Sequence, residues 1–176
     1  MILGFVFLTL AAGGAPVIDT LELAACHGHS AVFATALEFD NSLGSSPPLV
    51  LFRVTRTLKG LAVGSCFRVS AGDFVPGKDY FLVLLRPEPP TPIDPSDLDC
   101  TRAASPPIFE SFPRKPIVYQ DNLVWFKDLS SHSSPSKCVC GCDTPCANPE
   151  FSGYAAADPE WLVHVVGAVT STPPCR

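Results

Sequence analysis

Hydrophobic and polar positions alternate over several short stretches of the chain, and a period of two predicts strands. Over residues 31–40, Phe33, Thr35, Leu37 and Phe39 fall on one face, and Val32, Ala34, Ala36 and Glu38 on the other. Over residues 49–58, Val50, Phe52, Val54 and Leu58 point inward while Arg53, Thr55 and Thr57 point outward. Lys59-Gly60 begins a turn, and a short strand over residues 66–70 follows it. Pro76-Gly77 marks the next turn, since proline presets φ and glycine accepts a positive φ. Residues 80–85 are apolar almost without a break, the pattern of a strand covered on both faces. Residues 117–126 predict a further strand, folded as a hairpin if Asp121-Asn122 turns.

A period of 3.6 is clear only near the end. Asp158 suits an N-cap, Pro159 suits the first helical position, and Glu160 favours the positive end of the helix dipole. Leu162, Val165, Val166 and Val169 then make one apolar stripe, and Gly167 predicts an end near Val169. Residues 41–48, 86–107 and 129–136 are rich in Pro, Ser, Gly or Asp and read as loops, the second tied down by a bridge through Cys100.

Composition narrows the class. The 176 residues suffice for one domain with a core, alone or with a small appendage. A formal net charge of −5 with only 16% charged residues makes a poor polyanion binder, which argues against a nucleic-acid partner. Residues 1–15 hold an apolar run without charge, ending in small residues, as a signal peptide does; a buried strand or helix is the alternative. The run is shorter than the ~20 residues of a bilayer span, and no later segment is long and apolar enough to anchor the chain, so no membrane span is expected.

Eight cysteines, Cys26, Cys66, Cys100, Cys138, Cys140, Cys142, Cys146 and Cys175, all lie beyond that run. In an exported chain an even set of this size reads as a disulfide framework whose pairing the sequence leaves open, with Cys175 stapling the tail to the body. The domain reading is a signal peptide at 1–15, a β domain at 26–128, and a Cys-rich segment with the terminal helix at 129–176. The expected product is secreted, extracellular and monomeric.

Candidate chemistry is sparse. Cys138, Cys140, Cys142 and Cys146 have spacings that can ligate zinc, but an oxidising compartment favours bridges, and no metal or other cofactor is expected. His27 and His29, two apart, could hold Zn²⁺ or Cu²⁺ from a strand; an exposed polar segment is the simpler reading. His132 and His164 read as surface or boundary residues. Gly64-Ser65-Cys66-Phe67 superficially matches a papain-like run, but it sits on a strand, where no helix N-terminus lowers the thiol pKa. Asp94, Asp97 and Asp99 cluster in a loop, as solvated carboxylates do. Tyr119, Trp125 and Phe126 are either binding anchors or barrel packing. No catalytic motif is present, and the chain is not expected to be an enzyme.

The segments Ser30-Ala31-Val32-Phe33-Ala34-Thr35-Ala36-Leu37 after an early cysteine, Phe52 to Gly60 ending in Lys-Gly, and Gly77-Lys78-Asp79-Tyr80-Phe81-Leu82-Val83 resemble the netrin-type module. That fold is shared with the tissue inhibitors of metalloproteinases. The resemblance covers about residues 26–85. It implies a mainly β fold: a five-stranded OB-like barrel with a helix packed beside it. It further implies a secreted protein that binds proteases, matrix or receptors, with Cys26, His27, Gly28 and His29 as the partner-binding segment. Inhibitors of this family begin with Cys-x-Cys and chelate the protease zinc through the terminal amine. Here Cys26 is followed by His27-Gly28-His29 with no second cysteine. Three readings follow: an inhibitor or modulator of extracellular metalloproteases, a matrix- or receptor-binding module, and, least supported, a small secreted hydrolase. A chain starting at Cys26 would mark the first, and turnover lost on changing His27, His29 or Cys66 would mark the third.

Overall fold

The computed structural model describes residues 19–40, 48–70, 72–86, 93–100, 105–127, 149–151, 153–173 and 175. The apolar run at 1–15, His132, and Cys138, Cys140, Cys142 and Cys146 lie outside the described residues. The fold is mainly β, with a C-terminal helix and two cysteine pairs at bonding distance. Its strands are β1 (Ser30–Asp40), β2 (Leu49–Lys59), β3 (Cys66–Ser70), β4 (Asp79–Leu85), β5 (Ile108–Gln120), β6 (Leu123–Phe126) and β7 (Ala155–Ala157). Two helices, α1 (Leu21–His27) and α2 (Pro159–Thr170), flank them.

The strands follow the order β3-β2-β1-β4-β5-β6-β7, and β3 also pairs with β5. That parallel pairing, Arg68 with Ile108 and Val69 with Phe109, closes strands β1 to β5 into a ring. β1 runs antiparallel to both β2 and β4. Because side chains alternate, the sheet has two apolar faces. Val32, Ala34, Ala36, Val50, Phe52, Phe67, Val69, Leu82, Leu84 and Phe109 form one core cluster. Ala31, Phe33, Phe81, Val83 and Ile117 form the other, beneath Leu21, Ala24 and Ala25 of α1 and Leu162, Val165 and Val166 of α2. Phe52 anchors the first cluster, stacked on Phe67 at 5.4 Å and edge-on to Phe74 at 5.1 Å.

The alternation expected of β2 fails at its far end. Register shifts between Phe33 and Ala34 and between Ala31 and Val32 insert extra β2 residues opposite β1. Bulges of this kind reverse which face the following side chains take. Leu58, expected inward, therefore packs with the helix-side cluster, and Arg56 stands over the Phe33 ring at 5.6 Å.

β5 begins nine residues before the expected start at 117. A register shift between Phe81 and Val83 takes the partner from Ile117 to Phe112, which leaves Pro113 and Pro116 out of the ladder. Proline cannot donate to a ladder, so a strand holds it only at such an irregularity. The hairpin at Asp121-Asn122 is present, with φ of 55° and 59° at the two residues. The terminal helix stands where its caps place it: Asp158 accepts from the Glu160 N–H at 2.8 Å, and the helix passes Gly167 to end at Thr170.

Arg68 fastens the ring closure. It is 5% exposed, and its guanidinium donates to the Pro106 carbonyl at 2.7 Å, the Ser105 hydroxyl at 3.0 Å and the Asp40 carboxylate at 3.1 Å. Its own N–H donates to the Pro107 carbonyl at 2.8 Å. One side chain thus ties the end of β1 and the approach to β5 onto β3.

Candidate functional site

The segment holding Cys26, His27, Gly28 and His29 is the corner between α1 and β1. α1 is an unexpected element. Thr20 caps it, accepting from the Leu23 N–H at 3.2 Å, and Leu21, Ala24 and Ala25 are fully buried at the spacing of one helix face. Cys26 is the penultimate residue of that helix and is bridged to Cys175, beyond the end of α2. His27 is exposed, Gly28 is buried, and His29 is half-buried. The segment is thus a fixed corner in which only His27 matches the exposed polar stretch the sequence suggested.

Three groups hold the corner. The Lys59 ammonium, at the end of β2, donates to the carbonyls of Ala25 at 2.9 Å, Cys26 at 3.0 Å and Gly28 at 2.7 Å. These are carbonyls that a helix C-terminus leaves without intrahelical donors, and a cation there also meets the negative end of the dipole. Desolvation by burial holds the Lys59 pKa below its ordinary value. Gly28 has no room for a side chain: a Cβ would lie 2.5 Å from the Ala24 carbonyl oxygen and 2.6 Å from Val83 Cγ1. The His29 N–H then donates to the Leu84 carbonyl at 2.7 Å, which starts the β1–β4 ladder.

Ser30 lies behind His29 and is fully buried. Its Oγ is 2.7 Å from His29 Nδ1 and accepts from the Leu61 N–H at 3.1 Å. The His29 ring leans on Phe109, with centroids 5.3 Å apart. Burial holds the His29 pKa below the usual histidine range, and the positive charges of Arg86 and Lys59 add to that.

The other sequence candidates are dispersed. Cys66 is fully buried and bridged to Cys100, which fastens the loop after β4 to β3. Asp94 caps a short 3-10 turn and accepts from the Ser96 N–H at 2.9 Å; that bond and the Ser96 hydroxyl lower its pKa. Trp125 and Phe126 are core residues: Trp125 stacks on Phe151 at 4.4 Å and Phe126 packs on Trp161 at 5.5 Å. Tyr119 is half-buried and, with Gly77, Lys78, Asp79, Gln120 and Asp121, lines an open cleft of about 310 Å³ at the start of β4, beside the middle of β1. There Thr35 donates to Asp79, and Lys78 pairs with Glu150. His164 is exposed on α2. No group of three metal-ligating side chains gathers among the described residues, and none of their helices is long and apolar enough to cross a membrane.

The sequence reading missed Lys59, Ser30 and Arg86 as parts of the corner. Lys59 was visible as half of a turn; nothing local to it says that it reaches back 31 residues to Gly28. Comparison with family models, curated proteins and solved structures gives no match for this chain.

Proposed function

We propose that the chain is an exported, monomeric, disulfide-stapled module that acts by binding an extracellular protein, with the corner at Cys26, His27, Gly28 and His29 as its contact. The ring order β1-β2-β3-β5-β4, closed through β3 and β5, supports an OB-like barrel of netrin type. An extracellular protease is the first partner class, and a matrix component or receptor is the second. On this reading the module binds and does not catalyse, and the full burial of Ser30, which is hydrogen-bonded to His29, supports it.

The observation that carries the reading is the anchoring of the corner. A bridge, three carbonyl contacts from Lys59 and a strand ladder fix its backbone while His27 faces outward. A pre-ordered contact loses less entropy on association. Inhibition through the amine of Cys26 would require the chain to start there. Leu21, Ala24 and Ala25, buried against Phe33, Phe81 and Val83, favour a contact in which the residues before Cys26 stay in place.

The test is binding of the full chain to immobilised catalytic domains of extracellular metalloproteases and to matrix proteins, compared with a His27→Ala/Arg86→Ala variant. The reading expects a partner whose affinity the variant lowers by at least tenfold, about 1.4 kcal/mol. A partner bound equally well by the variant would move the contact elsewhere on the ring.

A further inference from the structure

We propose that His29 and Ser30 form an acid-released latch, closed while the imidazole is neutral, that locks α1 and the start of β1 against β2. The Leu61 N–H donates to Ser30 Oγ, which lies 2.7 Å from His29 Nδ1. In the closed latch the Ser30 hydroxyl donates to Nδ1, and the neutral ring carries its proton on Nε2.

Protonation at Nδ1 reverses this bond. Two donors, the Leu61 N–H and Nδ1–H, would then face Ser30 Oγ, and the hydroxyl proton would need a new acceptor. The hydroxyl is fully buried and packed against Gly60, whose missing Cβ would fall on it. A buried donor without a partner is costly. The charges that act on the imidazole among the described residues are both positive. Lys59 comes from β2 and Arg86 from the end of β4, and both act on His29 as cations. Phe109, the contact from β5, is uncharged, and the Lys59 ammonium is held at the α1 carbonyls beside it. The α1 side adds His27, which is exposed.

The sign follows. A histidine whose folded pKa is lowered binds fewer protons than in the open chain, so stability is complete above the ordinary value near 6.5 and falls as pH drops below it. Release acts first on the corner: the Gly28 N–H bond to Ala24 and the His29 N–H bond to Leu84 loosen together. The latch does not depend on the identity of any partner.

The experiment is amide hydrogen exchange of the full chain at pH 7.5 and pH 5.0, corrected for intrinsic rates, with an NMR titration of the histidine rings. Gly28 and His29 amides should open about fivefold or more at the lower pH, while His29→Gln, which keeps an acceptor for Ser30, should show no such step. His27→Gln and His164→Gln should retain it. An equal step in His29→Gln would overturn the proposal. So would a His29 ring in the unaltered chain titrating at or above about 6.5, a readout that holds even if the variant fails to fold.

Discussion

Replacing Arg68 by methionine should open the ring where it closes. The change keeps an apolar stem of similar length and removes three guanidinium contacts, to Pro106, Ser105 and Asp40. Breaking a fully buried ion pair by removing one partner costs about 3–5 kcal/mol, because the other charge stays buried. Here the Arg68 side chain is 6% exposed and that of Asp40 is 20%, so the carboxylate regains some water. The lower end, about 3 kcal/mol, is therefore expected. For a chain of this size that is a fall in Tm of about 6–12 °C. Asp40→Asn should cost less, about 1–2 kcal/mol, because Arg68 keeps Pro106 and Ser105. The double variant should cost less than the sum of the singles, since the Asp40–Arg68 contact is lost only once. Urea denaturation of the four proteins supplies the cycle, and hydrogen exchange supplies the location: the Arg68 amide, bound to Pro107, should lose protection before β1 does. A loss under about 1 kcal/mol for Arg68→Met, with exchange at Arg68 unchanged, would refute the role given to this side chain.

Two further experiments probe the corner. Gly60→Ala should be more damaging than Gly77→Ala, although both glycines have φ near +85°, because a Cβ at 60 meets the Ser30 hydroxyl and the His29 carbonyl at 2.5 Å while a Cβ at 77 meets nothing. Thermal melts should give about 1–2 kcal/mol for Gly77→Ala, the left-handed penalty alone, and at least twice that for Gly60→Ala; equal losses would contradict the close approach. Changing Cys26 and Cys175 together to serine removes a bridge spanning 149 residues, worth about 5 kcal/mol in the loop-entropy limit. Urea titration should show a loss of several kcal/mol and exchange should show α1 opening first, whereas a loss under about 1 kcal/mol would mean that packing alone holds α1.

Much of the sheet was legible because its strands obey period two. β1, β3 and β4 match the expected spans to within a residue, and the caps of α2 read directly as Asp158 and Pro159. Tertiary pairing decided the rest. The side taken by Leu58 depends on bulges that exist only opposite β1. The first half of β5 was hidden by Pro113 and Pro116, which leave residues 108–116 without a strand pattern until β4 supplies a ladder that steps around them. α1 did carry a signal, Thr20 followed by Leu21, Ala24 and Ala25, but it was masked by the apolar stretch before it. β7, three alanines long, is set by its pairing with β6 and has no pattern of its own.

The corner was half legible. Cys26 to His29 stood out as a compact group of chemically distinctive residues, and the stapling of the tail by Cys175 is present. What could not be read was its setting, since Lys59 and Arg86 reach it from strands 30 and more residues away. His27 and His29 look equivalent in the sequence, yet one faces out while the other is enclosed with Ser30 and Phe109.

The most direct test of the central claim, an exported module whose corner is anchored by an intact α1, is the intact mass and first residue of the protein recovered from the medium of expressing cells. The account predicts a chain that begins before Leu21 and carries no free thiol. A protein retained inside the cell with reduced cysteines would contradict export, and a secreted chain beginning at Cys26 would contradict the anchored corner and return the terminal amine to the centre of the mechanism.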